Sequence, residues 1–539
     1  MTPLAQLHDA VRGAAAALAG ADAAVAGAAR LERPPQARFG DYSTNAALLL
    51  APRLGRPPRE VAAALGEELS RSLGDGLERV EVAGPGFLNL FLADTWFSGA
   101  LAEALAAGED FGGGGAERPE RINVEFVSAN PTGPLTVAHG RHAAYGDALA
   151  RILEFHGHEV TREFYINDYG SQIRRLGESV RALARGEPVP EDGYRGDYVA
   201  GLVPPDRAAS LDLDALCAEA VAACLAMIRT TLERLGVRFD VWSSERSLHE
   251  GGRVAEVLAT LAGQGDTYTH DGALWLRTTD HGDDKDRVVV RSAGDHTYLT
   301  SDIAYHEDKL SRGYEKLIDV WGADHHGYVR RMQAALAALG APAGVLDVVI
   351  LQFVHLIEAG ERSAMSKRSG DFVTLDALVD EIGSDAARYF LVQRSHDTTV
   401  DIDLGLAVRR TNENPVYYIQ YAHARIAGVL TRAGADRVAG ALTFSGRTEA
   451  LHASERALLK RLVSFGAEVA EADERRAPHR IATFALELAQ EFTAFYRDCR
   501  VVGADAAETE SFRIALSVAT QRVIARSLDL LGVSAPQEM

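Results

Sequence analysis

The stretch INVEFVSANPTGPLTVAHGRHAAYGDALARILEFHGHEVTREFYI, residues 122–166, decides the fold class. INVEFV (122–127) is rich in β-branched and aromatic residues, as a strand is. Beyond Pro134, Tyr145, Ala148, Leu149, Ile152 and Leu153 recur at the i, i+3, i+4 spacing of one helical face. A turn at Gly157 leads into a second strand, EVTREFYI (159–166). Strand, helix and strand in succession make a βαβ unit, and parallel strands need such a crossover. The pattern returns in KLIDVW (316–321), the loop GADHHG, a helix through Leu339 and VLDVVILQFVHLI (345–357), whose β-branched run fits one strand buried on both faces. The expectation is a doubly wound, Rossmann-type parallel sheet with ligands at the carboxyl ends of its strands.

Outward from this centre, the 539 residues allow three or four domains. Residues 1–110 combine Ala/Leu-rich helical patterns with VEVAGPGFLNLFL (80–92), a strand entered through Gly84-Pro85-Gly86, and read as an α+β domain. The run Gly112 to Gly115 reads as a flexible linker. The Rossmann-type domain then covers 111–410, with an insertion over about 170–290. No strand is expected after Asn414; Ile481, Phe484, Leu488, Phe492 and Phe495 form one apolar stripe, so 411–539 is expected to be an α-helical bundle.

Composition narrows the function. A net charge of -20 disfavours non-specific attraction to nucleic acid or membrane. Residues 411–539 hold 15 basic and 16 acidic side chains, so a polyanion would meet that end rather than the acidic remainder. Cys217, Cys224 and Cys499 have neither disulfide-framework nor zinc spacing, and no metal ligands are assigned. No long apolar run or basic leader is apparent, so a cytoplasmic protein without a membrane span is expected. Only five cations are Lys, and a Lys that persists against such a bias towards Arg is a candidate for chemistry of its own.

Two segments carry chemistry. SANPTGPLTVAHGRH (128–142) places Pro131, Gly133, Thr136 and His139 where a helix begins at a strand end, which suits a nucleotide phosphate. In ERSAMSKRSGDFVTL (361–375), the run Ser366-Lys367-Arg368-Ser369 offers two cations and two hydroxyls in a loop suited to a triphosphate. Alone, the first could hold a structural histidine and the second could be a solvated basic loop. Their order on the two sheet units favours the nucleotide.

These segments resemble the two signatures of class I aminoacyl-tRNA synthetases: ANPTGPLTVAH (129–139) is similar to "HIGH" and AMSKR (364–368) to "KMSKS". EFVSANPTGP (125–134), YLTSDIAYH (298–306), VWGADHHGYV (320–329), NPVYYIQYAHARI (414–426) and FGDYSTNAAL (39–48) extend the resemblance, over nearly the whole chain, to the bacterial arginyl-tRNA synthetase family. Thr136 and Ala138 replace the leading His and the Gly of the first signature, and Ala364 the leading Lys of the second.

The resemblance implies ATP-dependent activation of L-arginine to arginyl-adenylate, with Mg²⁺ accompanying ATP, and transfer to the 3′ end of tRNA(Arg), by a monomer. It implies catalytic roles for Thr136, His139 and Lys367; ATP contacts from Pro131, Gly133, Thr136, His139, Met365, Ser366 and Lys367; and arginine contacts from Glu125, Asn130, Tyr298, Asp302 and Asp324. Tyr417, Tyr421 and Arg425 would meet the anticodon. Another class I synthetase, an HxGH-type nucleotidyltransferase, or a paralogue that binds without catalysis are the alternatives.

Overall fold

The computed structural model describes residues 2–20, 28–34, 36–358, 360–362, 373–444 and 450–539. At its centre five strands, all parallel, lie in the spatial order Leu346–Leu351, Lys316–Gly322, Arg121–Glu125, Glu159–Ile166, Val241–Ser244. Strand order reverses at Arg121–Glu125, so the crevice beside its carboxyl end is the topological switch point. Ile122, Val124 and Ile318 are fully or almost fully buried, as both-face coverage of a parallel sheet requires. The helix Val137–His156 crosses this sheet, and a Cβ on its Gly146 would come 2.2 Å from Phe126 Cγ. Only glycine lets helix and strand end approach so closely.

Three expectations change. VLDVVILQFVHLI is two strands, because the chain turns at Gln352, whose N–H donates to His396 O (2.9 Å), beside the 61% exposed Phe353. Leu346–Leu351 stays in the central sheet, whereas Val354–Glu358 pairs parallel with Val400–Asp403 and antiparallel with Glu361–Arg362. The stretch read as an insertion over 170–290 is not one inserted body, since Val241–Ser244 is an edge strand of the central sheet. Before it come helices Ser171–Ala184 and Leu213–Arg234; after it comes a three-stranded antiparallel sheet of Thr267–His270, Ala273–Leu276 and Arg287–Val290. Leu213–Arg234 is by length and composition apolar enough to cross a membrane, but it buries Leu216, Ala220 and Cys224 against Leu176 and Val180 inside the protein.

The glycine run is the third correction. Gly114 N–H donates to Phe155 O (2.8 Å) and Ala116 N–H to His156 O (2.9 Å). A Cβ on Gly112 would lie 2.6 Å from Phe465, and one on Gly115 2.7 Å from His156. These glycines allow close packing between the signature helix and the helical C-terminal part, the opposite of a loose tether.

Towards the N-terminus, Leu77–Ala83 and Phe87–Leu92 form a hairpin through Gly84-Pro85-Gly86 in a four-stranded antiparallel sheet. Beyond residue 411 the described residues contain helices and no strand. The stripe from Ile481 to Phe495 is buried in the helix His479–Asp498. Arg456 on the helix Ala453–Val463 donates to Asp41 (2.8 Å) and Asp94 (2.5 Å), clamping the N-terminal sheet onto the bundle.

Candidate active site

The signature loop is strained where it leaves its strand. Val127 has φ 69° and Ser128 φ 38°. Left-handed backbone at a β-branched residue is uncommon and gathers at functional sites. Ser128 holds the bend from both sides: its Oγ donates to Glu125 Oε1 (2.8 Å) and accepts from Tyr165 N–H (3.1 Å). Tyr198 OH donates to Thr132 O (2.9 Å) and stands against Gly133, Pro131 is buried, and Asn130 is exposed.

At the helix start, Thr136 N–H donates to His139 Nδ1 (3.0 Å), and Thr136 Oγ1 lies 3.0 Å from the same nitrogen. A backbone N–H can only donate, so Nδ1 is unprotonated and Nε2 carries the hydrogen. Burial lowers the His139 pKa, so the ring is a neutral donor at pH 7. Two N–H groups expected to be free for phosphate are already used, that of Thr136 by His139 and that of Val137 by Val373 O (3.1 Å). Leu375 N–H in turn donates to Leu135 O (2.8 Å), and Thr136 bridges Thr374. The chain leaving the second signature is thereby fastened to the first. Met365, Ser366 and Lys367 themselves lie outside the described residues.

Below the loop is a buried charge network. Lys309 Nζ, fully buried, donates to Glu125 Oε2 (2.5 Å) and Asp319 Oδ1 (3.1 Å). His306 Nδ1 meets Asp302 O (2.7 Å) and its Nε2 meets Asp319 Oδ2 (2.8 Å). Burial alone would lower the His306 pKa, but Asp319 outweighs it and raises it. Burial pushes Asp319 up, yet Lys309 and His306 hold it below the usual carboxylate range. Burial raises the Glu125 pKa, but its charge is neutralised from within the protein by Lys309.

Two other carboxylates are not. Glu245, 5% exposed, begins the helix that follows Val241–Ser244 and accepts from Ser301. Burial, and then the like charges of Asp302 and Asp168, raise its pKa to about 7. Asp302 accepts from Tyr328 OH (2.5 Å), and burial raises its pKa as well. Among the described residues no Lys or Arg lies within 4 Å of either carboxylate. A cation is what this pair lacks. Tyr298 and Asp302 are one turn apart on the helix Tyr298–Ser311, with Tyr298 at its first, 73% exposed position. Asp324 stands at the end of Lys316–Gly322 with a 77% exposed side chain, 3.4 Å from His325.

Known proteins resemble this chain along its length. Residues 5–92 match the arginyl tRNA synthetase N terminal domain, 101–182 and 210–413 the class I (R) tRNA synthetase catalytic domain, and 419–539 the DALR anticodon binding domain. The arginine–tRNA ligase of Kineococcus radiotolerans is 46% identical with 100% of both chains covered, and that of Bacillus subtilis is 44% identical over 94% of each. The chain belongs to the arginyl-tRNA synthetase family. The solved Thermus thermophilus arginyl-tRNA synthetase superposes with a TM-score of 0.77 at 25% identity, covering 95% of this chain and 96% of that one. As an arginine–tRNA ligase, the synthetase uses ATP to join arginine to tRNA(Arg).

Two residues of the candidate site are not singled out by the sequence. Lys309 had a signal, being one of five lysines in the chain. Glu245 had only its place after the short strand VWSS, which is legible once the strand is known.

Proposed function

We propose that the synthetase recognises the arginine side chain between Glu245 and Asp302, an assignment carried by one observation: a buried and a half-buried carboxylate with no Lys or Arg partner among the described residues. A guanidinium is planar, always charged and matched to paired carboxylate oxygens. Citrulline would leave both carboxylates unpaired, and lysine would meet them with the wrong geometry. Tyr298, on the same helix, closes the pocket from its exposed side, while Glu125 and Asn130 face the α-ammonium end, where Lys309 tempers the charge of Glu125. Asp324, on the nucleotide side of the switch point, meets arginine only at that edge and suits the ribose hydroxyls of ATP.

The arginine carboxylate, with a pKa near 3.5, is already ionised at pH 7, so adenylate formation needs no general base. His139 Nε2–H, the Thr136 hydroxyl and Lys367 stabilise charge on the α-phosphate and the departing pyrophosphate. Pro131 and Gly133 shape the loop over ATP, and Met365 and Ser366 complete it. The Glu125, His306 and Asp319 cluster does not fit Mg²⁺, because Lys309 Nζ already occupies its centre. Mg²⁺ would arrive on the phosphates of ATP as part of that substrate.

Residues 1–110 are assigned to contact with the body of tRNA, 111–410 to catalysis and 411–539 to the anticodon. For the last, support comes from Tyr417 and Tyr421, stacked at 5.8 Å and 7°, with Arg425 donating to Tyr421 OH (2.9 Å). Unpaired bases are held on such surfaces. We assign a cytoplasmic monomer without membrane contact. The test is arginine-dependent ATP–pyrophosphate exchange with tRNA(Arg) present. Glu245→Gln should lower kcat/KM for arginine about 10- to 150-fold, the range for a lost hydrogen bond to a charged group, with the KM for ATP unchanged. A normal arginine KM would refute the assignment.

A further inference from the structure

Three rings lead outward from Glu245. His249 lies in the same short helix, Glu245–Glu250, and its Nε2 is 3.0 Å from Ser301 Oγ. Burial, and secondarily His296, lowers the His249 pKa, leaving a neutral ring. Tyr169 stacks on His249 with centroids 4.1 Å apart and planes at 15°, and His296 lies 6.0 Å from His249 at 21°. Tyr169 is 44% exposed and His296 is exposed. The loop carrying Tyr169 is pinned by Asp168, which accepts from Ser244 Oγ (2.7 Å) and Arg246 N–H (3.0 Å). An open aromatic stack on a fixed loop has no role in the core or in adenylate formation.

We propose that the stack of Tyr169, His249 and His296 receives the terminal adenine of the tRNA 3′ end and so sets its ribose against the arginyl carboxyl. In the transfer step that ribose must reach the carbon next to the arginine pocket, and the last nucleotide is single-stranded. An unpaired base is held chiefly by stacking on aromatic faces, with cations near its phosphates. The rings supply the first, and the exposed Arg246 and Arg291 flank them in sequence to supply the second. The adenine of ATP is a poor occupant, because the switch point lies between Arg121–Glu125 and Lys316–Gly322. Tyr169 and His249 instead follow Glu159–Ile166 and Val241–Ser244, on the other side of the sheet.

The proposal rests on the arginine side chain lying between Glu245 and Asp302, and the arginine KM of Glu245→Gln tests that premise separately. The stack itself is tested by charging two tRNA(Arg) substrates, one complete and one with an abasic terminal ribose. On complete tRNA, Tyr169→Ala should lower kcat/KM for tRNA about tenfold, within the range for losing one base–aromatic stack. Tyr169→Phe should retain activity, and His296→Ala should lose less than Tyr169→Ala. On abasic tRNA, wild type and Tyr169→Ala should charge within twofold of each other, with the KM for arginine and ATP unchanged throughout. Equal losses on both tRNAs, or no loss on either, would overturn the proposal.

Discussion

At the scale of single residues, the site is organised by which charges the protein neutralises itself. Glu125 and Asp319 share Lys309, whereas Glu245 and Asp302 wait for a cation. This has a pH signature. The raised pKa of Glu245, about 7, means the free protein carries that group partly protonated at neutral pH. Guanidinium binds the ionised form, so kcat/KM for arginine should fall towards tenfold per unit as pH drops below about 7, a limb that reports the free enzyme. A carboxyl whose folded pKa lies above its unfolded value destabilises the fold once ionised, and protonation below pH 7 relieves that cost. Arginine relieves it too, so saturating arginine should raise the Tm more at pH 8 than at pH 6. An equal rise at both would count against Glu245. Glu125 and Asp302 stand out in the sequence because they sit in recognisable strings; that Lys309 pairs with Glu125 is not legible there, because the two lie 184 residues apart.

At the scale of elements, the signature helix Val137–His156 is placed by contacts that admit no extra atom. Gly146 lies against Phe126, and Gly140 against Leu375, where a Cβ would come 2.6 Å from Cδ1. Gly146→Ala should therefore cost roughly 3 kcal/mol, the upper part of the usual range for overpacking. The displaced helix should also slow pyrophosphate exchange; a shift of the urea midpoint without loss of rate would show that the helix start had kept its place. The strands 159–166 and 316–322 were readable because β-branched runs bounded by turns are a local signal. Val241–Ser244 was not readable, since four half-buried residues carry no period. VLDVVILQFVHLI misled because a turn at Gln352 depends on a distant carbonyl, His396 O.

At the scale of the whole molecule, Arg388 joins segments far apart in sequence. Fully buried, it donates to Asp147 Oδ2 on the signature helix (2.5 Å), to Leu235 O (3.0 Å) and to Leu531 O (2.8 Å) near the end of the bundle. Arg388→Met would leave Asp147 short of a partner and two carbonyls unsatisfied, a loss of about 3–5 kcal/mol. Chemical denaturation should show catalytic domain and bundle losing stability together; a loss confined to one would mean they unfold independently.

The class of fold, the two signature strings, the helical C-terminal third and the family are legible in the sequence, because each rests on short-range periodicity or on strings of neighbouring residues. Only the tertiary structure decided that the glycine run is a packed seam, that Thr136 and His139 bind each other, and that Glu245 rather than Glu125 lacks a counter-ion. Electrostatic pairing and close approach depend on distances through space, and these appear only when strands remote in the chain lie side by side.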